Sequence, residues 1–208
     1  AIGTELYHCD ATCTQIEQVN PFGNKNGKHN INALYMDSKG MLWLLCSDGT
    51  LMRGRGKRFD AIKPIPDGVA CTMFEDADGR YWFGTWGQGL WQYLPEKAKA
   101  KGDCWLQHHV QDNDEGGEED IFFCIQQDRT KRWLWMLSYK KLYVLEYAGG
   151  RLKPIDLTAY LSPRHEYTNM ICDNVGNIWL AANDESSIVS FDSSGILSYR
   201  PLPASCQT

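Results

Sequence analysis

The 208-residue sequence predicts an all-β fold assembled from repeated four-stranded antiparallel sheets. Three observations carry that prediction. An Asp-turn-Trp segment recurs four times, each copy is preceded by a short apolar run, and each is followed by further strand-like runs set off by turn residues. The anchor aspartates Asp37, Asp76, Asp128 and Asp173 lie 39, 52 and 45 residues apart, and Trp43, Trp82, Trp135 and Trp179 follow at intervals of 39, 53 and 44.

The elements of a unit follow in order. The first strand is the apolar run, written INALYM, VACTMF, IFFCIQ or TNMIC in the four copies. The Asp then opens a tight turn, because its carboxylate bonds the backbone ahead of it while a glycine supplies the positive φ that closes the reversal. That glycine stands three residues on as Gly40, Gly79 and Gly176, whereas the third copy, RTKRW, has an extra residue and no glycine. A Trp-centred strand comes next, then a second turn and a third strand (TLMRGR, GLWQYL, KLYVLEY or SIVSF). Weaker fourth strands such as RFDAIKP and ILSYRP close the units. Helical periodicity is absent, and PEKAKAKG is too short and too closely flanked by Pro and Gly to count as a helix.

Four antiparallel strands at a period of roughly 40–45 residues are the mark of β-propeller blades. Stacked blades bury both faces of each sheet, so the four anchor tryptophans are expected between neighbouring blades. Gly3-Thr4 matches Gly84-Thr85, so the first unit holds only the second half of a blade. The expectation is about four complete blades plus a partial one in a single segment over 1–208, with an arc of a larger propeller favoured over a small ring closed by the C-terminal tail. Its parts are a partial blade and connection (1–30), blades at 31–66, 67–111 and 112–160, and a last blade with its tail at 161–208. The opening AIGTELYHCD, without an initiator Met, reads as a piece of a longer chain.

Composition narrows the function. With 43% hydrophobic and 12% aromatic residues the chain can bury a core and is not disordered. A net charge of −5 without a basic run argues against nucleic acid or an anionic membrane as this region's partner. No apolar run approaches the ~18 residues of a membrane span. Of eight cysteines, Cys46, Cys71, Cys124 and Cys172 fall in apolar strand-like runs, where small buried hydrophobes belong. Cys9 and Cys13 are close in sequence, beside His8, but without a second ligand pair they do not make a zinc site, and the sequence leaves disulfide pairing open.

The long connection from Pro95 to Asp120 holds a strand-like CWLQHHV and ends in an acidic run from Asp112 to Asp120 that lacks EF-hand spacing. That acidic run is read as a solvated loop. His108 and His109, adjacent on a strand, face opposite sides and make a poor metal pair. No metal or cofactor is expected.

The pattern D-x-x-G-x-h-W-h-G-T-x-x-x-G-L (h, hydrophobic), carried by Asp76, Gly79, Trp82, Gly84, Thr85, Gly89 and Leu90, resembles the two-component regulator propeller repeat. The resemblance runs from Ile2 to Pro201, with departures such as LLCSDGTL where the G-T would stand. It implies the periplasmic sensor region of Bacteroides-type hybrid two-component histidine kinases or related one-component regulators. By the same resemblance the region is non-catalytic, the ligand is an oligosaccharide, and the full-length protein is a homodimer tethered to the inner membrane through other regions. The output would be a cytoplasmic kinase or DNA-binding domain. The repeat also looks like that of the streptogramin lyase family. A propeller enzyme therefore stays as an alternative, with His165, Asp184, Glu185 and Asp120 as acid–base candidates, as does a protein-interaction platform.

In propellers the turns between strands two and three gather with the entrances to strand one on a single face, where loops vary on a rigid frame. The turns here are Ser47-Asp48, Trp86-Gly87-Gln88, Tyr139-Lys140 and Asn183-Asp184-Glu185, and the entrances hold Asn32, Asp120 and Asn169. Flat aromatics cover sugar C–H surfaces while amides and carboxylates bond hydroxyls. The expected ligand contacts are therefore Asn32, Asp48, Trp86, Gln88, Asp120, Tyr139, Asn169, Asn183 and Asp184. No catalytic residue is assigned. Trp82 and Trp91 are expected to build the blade, and Trp86, in a turn, to meet the ligand.

Overall fold

The computed structural model describes residues 3–23, 29–100, 103–108, 110, 121–129, 131–138, 141–148, 151–162, 164–182, 186–191 and 197–201. Among them the strands form one two-stranded and four four-stranded antiparallel sheets. The hairpin joins β1 (Leu6–Cys9) to β2 (Ile16–Val19). The first blade runs through β3 (Ile31–Met36), β4 (Leu42–Cys46), β5 (Leu51–Arg55) and β6 (Arg58–Ile62). The second holds β7 (Ala70–Glu75), β8 (Tyr81–Thr85), β9 (Leu90–Tyr93) and β10 (Trp105–His108). The third holds β11 (Cys124–Gln127), β12 (Leu134–Leu137), β13 (Leu142–Ala148) and β14 (Arg151–Asp156). The fourth holds β15 (Tyr167–Cys172), β16 (Ile178–Ala182), β17 (Ser186–Phe191) and β18 (Leu197–Pro201). Each blade is a simple meander in chain order.

One arrangement repeats in every blade. The Trp indole N–H donates to the turn Asp: Trp43 to Asp37 at 3.0 Å, Trp82 to Asp76 at 2.8 Å, Trp135 to Asp128 at 3.0 Å and Trp179 to Asp173 at 2.9 Å. The same carboxylates also accept backbone N–H groups of their turns, such as Lys39 and Met41 on Asp37 and Asp78 and Arg80 on Asp76. A buried carboxylate is tolerated only when such donors replace water. Arg53 pairs with Asp37 at 2.5 Å and Arg80 with Asp76 at 2.7 Å. Gly40, Gly79 and Gly176 take φ of 70°, 76° and 91°, while in the longer third turn Arg132 occupies the left-handed region at 59°.

Three of the four anchored indoles lie on the next blade. Trp43 contacts Tyr81, Phe83 and Tyr93 with ring centroids 5.3–5.6 Å apart. Trp82 packs with Phe122, Ile125 and Tyr143, and Trp135 with Tyr167, Met170 and Ile178. These three are 0% exposed. Trp179 departs from expectation at 36% exposure, because among the described residues nothing packs on the outer face of the fourth blade. At the other end Leu6 and Val19 of the hairpin pack on Ile31, Leu44 and Met52 of the first blade. The sheets stack in sequence without closing into a ring, as an arc requires.

A second ladder crosses the blades on the Asp-turn side. The residue before each turn Asp reaches the backbone just after the Asp of the preceding blade. Glu75 accepts from the Ser38 N–H (2.5 Å) and hydroxyl (2.8 Å), Gln127 from the Ala77 N–H (2.8 Å), and the Cys172 sulfur from the Arg129 N–H. Met36, in that position of the first blade, is 59% exposed, since the hairpin beside it has no Asp turn.

Two expectations change. A short helix, α1 (Pro95–Lys99), does form, because Pro at its first turn supplies a helical φ without needing an N–H partner. CWLQHHV is not part of a connection: β10 pairs with β9, and Trp105 is buried with its indole N–H on the Lys63 carbonyl at 2.9 Å. His108 bonds Gln92 at 3.1 Å, and His109 lies outside the described residues.

Two outcomes test this packing. Trp82→Ala is expected to lower stability by about 3–5 kcal/mol, in the range of deleting a buried aromatic, and Trp179→Ala by markedly less, both measured by urea unfolding. Burial pushes the Asp37 carboxyl up, but the Met41 N–H, Arg53 and Trp43 outweigh it and hold it below its ordinary value. Hydrogen bonds, led by that of Trp179, likewise hold Asp173 down to about 2. A depressed folded-state pKa gives stability that is present above the unfolded value, near 3.9, and is lost as pH falls toward the folded value. The midpoint of thermal unfolding should therefore drop on acidification below about pH 5, and less steeply in Asp37→Asn.

Candidate ligand face

The turn after β8 shows how the sequence builds this face. Gly84 sits where a Cβ would lie 1.8 Å from the Phe122 carbonyl oxygen of the third blade, so only glycine lets the two backbones approach. Thr85, fully buried, donates its hydroxyl to the Gly89 carbonyl at 2.9 Å and accepts the Gln88 N–H at 3.1 Å, closing the turn. Trp91 donates its indole N–H to the Gln88 carbonyl at 2.9 Å and is buried, as a blade-building residue should be. Trp86 is held at its backbone by the Val69 carbonyl (3.0 Å), and its side chain is 46% exposed.

The first blade repeats the design. The Ser47 N–H bonds the Asn30 carbonyl at 2.9 Å, folding the turn onto its own strand-one entrance. A Cβ on Gly49 would lie 3.6 Å from the Gly68 carbonyl oxygen, so this turn borders the entrance of the second blade. Turn 47–50, entrance 68–69 and turn 86–89 therefore form one continuous border, which brings Asp48, Trp86 and Gln88 to the same face.

Asp48 is not a free acceptor. Its Oδ1 takes the Thr50 N–H at 3.0 Å and its Oδ2 lies 2.7 Å from His29 Nδ1. Burial raises the Asp48 carboxyl, but Thr50 and His29 outweigh it and bring it below its ordinary value. The His29 ring stacks on Phe22 with centroids 4.5 Å apart. His29, Phe22, Thr50 and Phe59 line a cavity of about 450 Å³. Sequence reasoning missed His29, because a lone histidine ahead of a strand, 19 residues from its carboxylate partner, carries no spacing signal.

Asn32 lies exposed at the register shift between Ile31 and Ala33. Asn169 borders the equivalent shift in the fourth blade, where its Oδ1 accepts the Met170 N–H at 2.8 Å. Asp120, Tyr139, Asn183 and Asp184 lie outside the described residues, as does Glu185, while His165 is described and half-buried.

A larger cleft of about 850 Å³ opens on the opposite, Asp-turn side, lined in part by Tyr35, Ser38, Glu75, Asp78, Gln127 and Arg132. Its polar groups bond one another: Glu75 to Ser38, Gln127 to the Ala77 N–H and the Arg132 carbonyl, and Arg132 to Asp78. These contacts hold blades together, so the cleft is the weaker candidate despite its size. Among the described residues no group of three or more His, Cys, Asp or Glu side chains is placed to hold a metal ion.

Stacked four-stranded meanders, with strand-two-to-three turns and strand-one entrances on one face, define an open arc of a β-propeller. The family model described as "Two component regulator propeller" matches residues 64–87, the stretch holding Asp76, Trp82, Gly84, Thr85 and Trp86. No curated protein sequence matches the chain.

Solved structures share the fold. The extracellular domain of BT4673 from B. thetaiotaomicron, described as a one component system, is 16% identical with a TM-score of 0.67, over 91% of this chain and 27% of that one. The extracellular domain of BT3049 from the same organism, described as a hybrid two component system, is 14% identical with a TM-score of 0.63, over 96% and 30%. Virginiamycin B lyase from Staphylococcus aureus, as an inactive variant with quinupristin, is 14% identical with a TM-score of 0.68, over 97% and 64%. The chain thus spans less than two thirds of each of these proteins, and at such identities the likeness establishes the fold. No helix among the described residues is long and apolar enough to cross a membrane.

The close approach at Gly84 yields a direct test. Gly84→Ala should destabilise the protein by about 3 kcal/mol or more, because the new methyl meets backbone that cannot turn aside. Calorimetry against wild type measures it.

Proposed function

We propose that this chain is part of the extracytoplasmic, periplasmic ligand-sensing propeller of a signal-transduction regulator, and that its ligand is an oligosaccharide. The regulator would pass the signal to a cytoplasmic kinase or DNA-binding output, as a homodimer tethered in the inner membrane by regions outside this chain. The observation that carries the proposal is Trp86. Within the stretch that matches the regulator repeat and the strand that follows it, Trp82 and Trp91 are buried, while Trp86 stands 46% exposed in the turn of the variable face. The likeness to extracellular domains of one- and two-component systems supports the sensor role.

In this proposal Trp86 covers a sugar C–H face, with Gln88, Asn32 and Asn169 offering amides to hydroxyls and Asp48 held ready by His29. Asp120, Tyr139, Asn183 and Asp184 complete the set. The region is non-catalytic. A second reading, a lyase, is favoured by the likeness to virginiamycin B lyase and by the His29–Asp48 pair at 2.7 Å, which could move a proton.

The test is a thermal-shift screen of the complete extracellular region against plant and host oligosaccharides, with Trp86→Ala beside wild type. A ligand at 100 times its Kd stabilises a fold by about 2.7 kcal/mol, so binding raises the midpoint readily. The expected result is a shift with wild type that is lost in Trp86→Ala. A panel that shifts nothing overturns the oligosaccharide. Mass analysis of quinupristin recovered from a parallel incubation separates the readings, since a lyase converts it and a sensor returns it intact.

A further inference from the structure

Four of the described cysteines behave as the sequence predicts for core residues, and Cys104 joins them. Cys46, Cys104 and Cys124 are buried and Cys71 and Cys172 half-buried; burial pushes the Cys71 thiol up to about 12 and the Cys46 and Cys124 thiols to about 11. Thiols so placed are inert. Cys9 and Cys13 differ, because both are exposed and both sit at the loop that joins β1 to β2.

That loop is built. Cys9 ends β1 opposite Ile16, and the next bond, from the Asp10 N–H to the Gln15 carbonyl at 3.1 Å, closes the loop at its base. The Cys13 N–H donates to the Asp10 carbonyl at 3.0 Å, a β-turn that carries Cys13 back toward Cys9. The Asp10 carboxylate accepts the N–H groups of Thr14 and Gln15, each at 2.8 Å, and the hydroxyls of Thr12 and Thr14 at 2.5 and 2.9 Å. So held, Cys13 adopts φ of 56°, a left-handed conformation that a residue with a side chain keeps only when its surroundings impose it. The turn thus sets the exposed Cys13 back beside the exposed Cys9, at the end of β1.

We propose that Cys9 and Cys13 are a redox-active thiol pair that closes to a disulfide across the first hairpin loop by exchange with a small disulfide such as oxidised glutathione. One thiolate attacks a glutathione sulfur, forming a mixed disulfide and releasing one glutathione. The second thiolate attacks the protein sulfur of that mixed disulfide, forming the Cys9–Cys13 bond and releasing the other glutathione. Two protein thiols are oxidised, one glutathione disulfide is reduced to two thiols, and the two protons pass to the departing glutathiones.

The neighbouring Cys13 thiol, with a smaller contribution from burial, raises the Cys9 thiol above its ordinary value. Closure pins a two-stranded hairpin, a structure of marginal stability on its own, which is anchored to the first blade through Leu6 and Val19. The inference rests on the extracytoplasmic reading only for the oxidant a cell would supply. The exchange itself runs in purified protein, so failure of closure and failure of that location are told apart.

The experiment incubates the reduced chain with graded mixtures of oxidised and reduced glutathione, quenches with acid, alkylates, and maps the peptides by mass spectrometry. In wild type the Cys9–Cys13 peptide is expected to lose two hydrogens at a glutathione ratio that leaves Cys46, Cys71 and Cys124 alkylated, without a lasting glutathione adduct. Cys9→Ser is expected to accumulate a stable adduct on Cys13, because the resolving thiol is gone. The proposal is overturned if wild type accumulates that same adduct, or if Cys9 or Cys13 is found linked to Cys206 or to a second chain.

Discussion

Every blade depends on the bond between a turn aspartate and the indole of its tryptophan. Stacking blades buries an indole, and a buried N–H without an acceptor is costly, as is a buried carboxylate without donors. Joined across six or seven residues, each satisfies the other. The bond also fixes the turn and aims the ring. Once Asp37 holds Trp43, the indole is committed to Tyr81, Phe83 and Tyr93 of the neighbouring blade. Where that neighbour is not among the described residues, as beside Trp179, the bond persists at 2.9 Å although the ring is partly exposed, so the lock belongs to the single blade and the burial to the stack.

The two faces of the arc are consequently unlike. On the Asp-turn side, side chains cross from blade to blade to cap backbone N–H groups, and Glu75, Gln127 and Cys172 perform one task with three different groups. Changing that side alters stability. On the other side the turns fold back on their own blade through backbone bonds, such as Ser47 to Asn30 and Trp86 to Val69, which leaves their side chains to vary. A rigid frame with one variable face is what the proposed sensor needs, and the bonds that cross the larger cleft make it the weaker candidate.

The repeat motif gains a physical meaning from this division. In G-T-x-x-x-G-L, Gly84 permits the backbone of the next blade to approach, and Thr85 locks the turn that presents Trp86. The first blade carries Leu45 and Cys46 at those positions, both buried among apolar neighbours, so the turn there relies on Asp48 and its bonds to Thr50 and His29. Degeneracy in the motif thus marks places where another side chain has taken over the same work.

The sequence by itself determined the blade: Asp37, Asp76, Asp128 and Asp173, their tryptophans and the apolar runs around them are local features whose spacing reports strand, turn and strand directly. It also separated Trp82 and Trp91 from Trp86, because strand and turn positions differ in composition. The tertiary structure alone decided what depends on contact between distant segments. It placed Trp105–His108 as a blade's outer strand with Trp105 on the Lys63 carbonyl, set Trp179 at an uncovered face, joined His29 to Asp48, and turned Cys13 back toward Cys9 through a loop held by Asp10. Hydrogen bonds and burial across blades are set by how separate runs stack in space, and no periodicity along the chain records them.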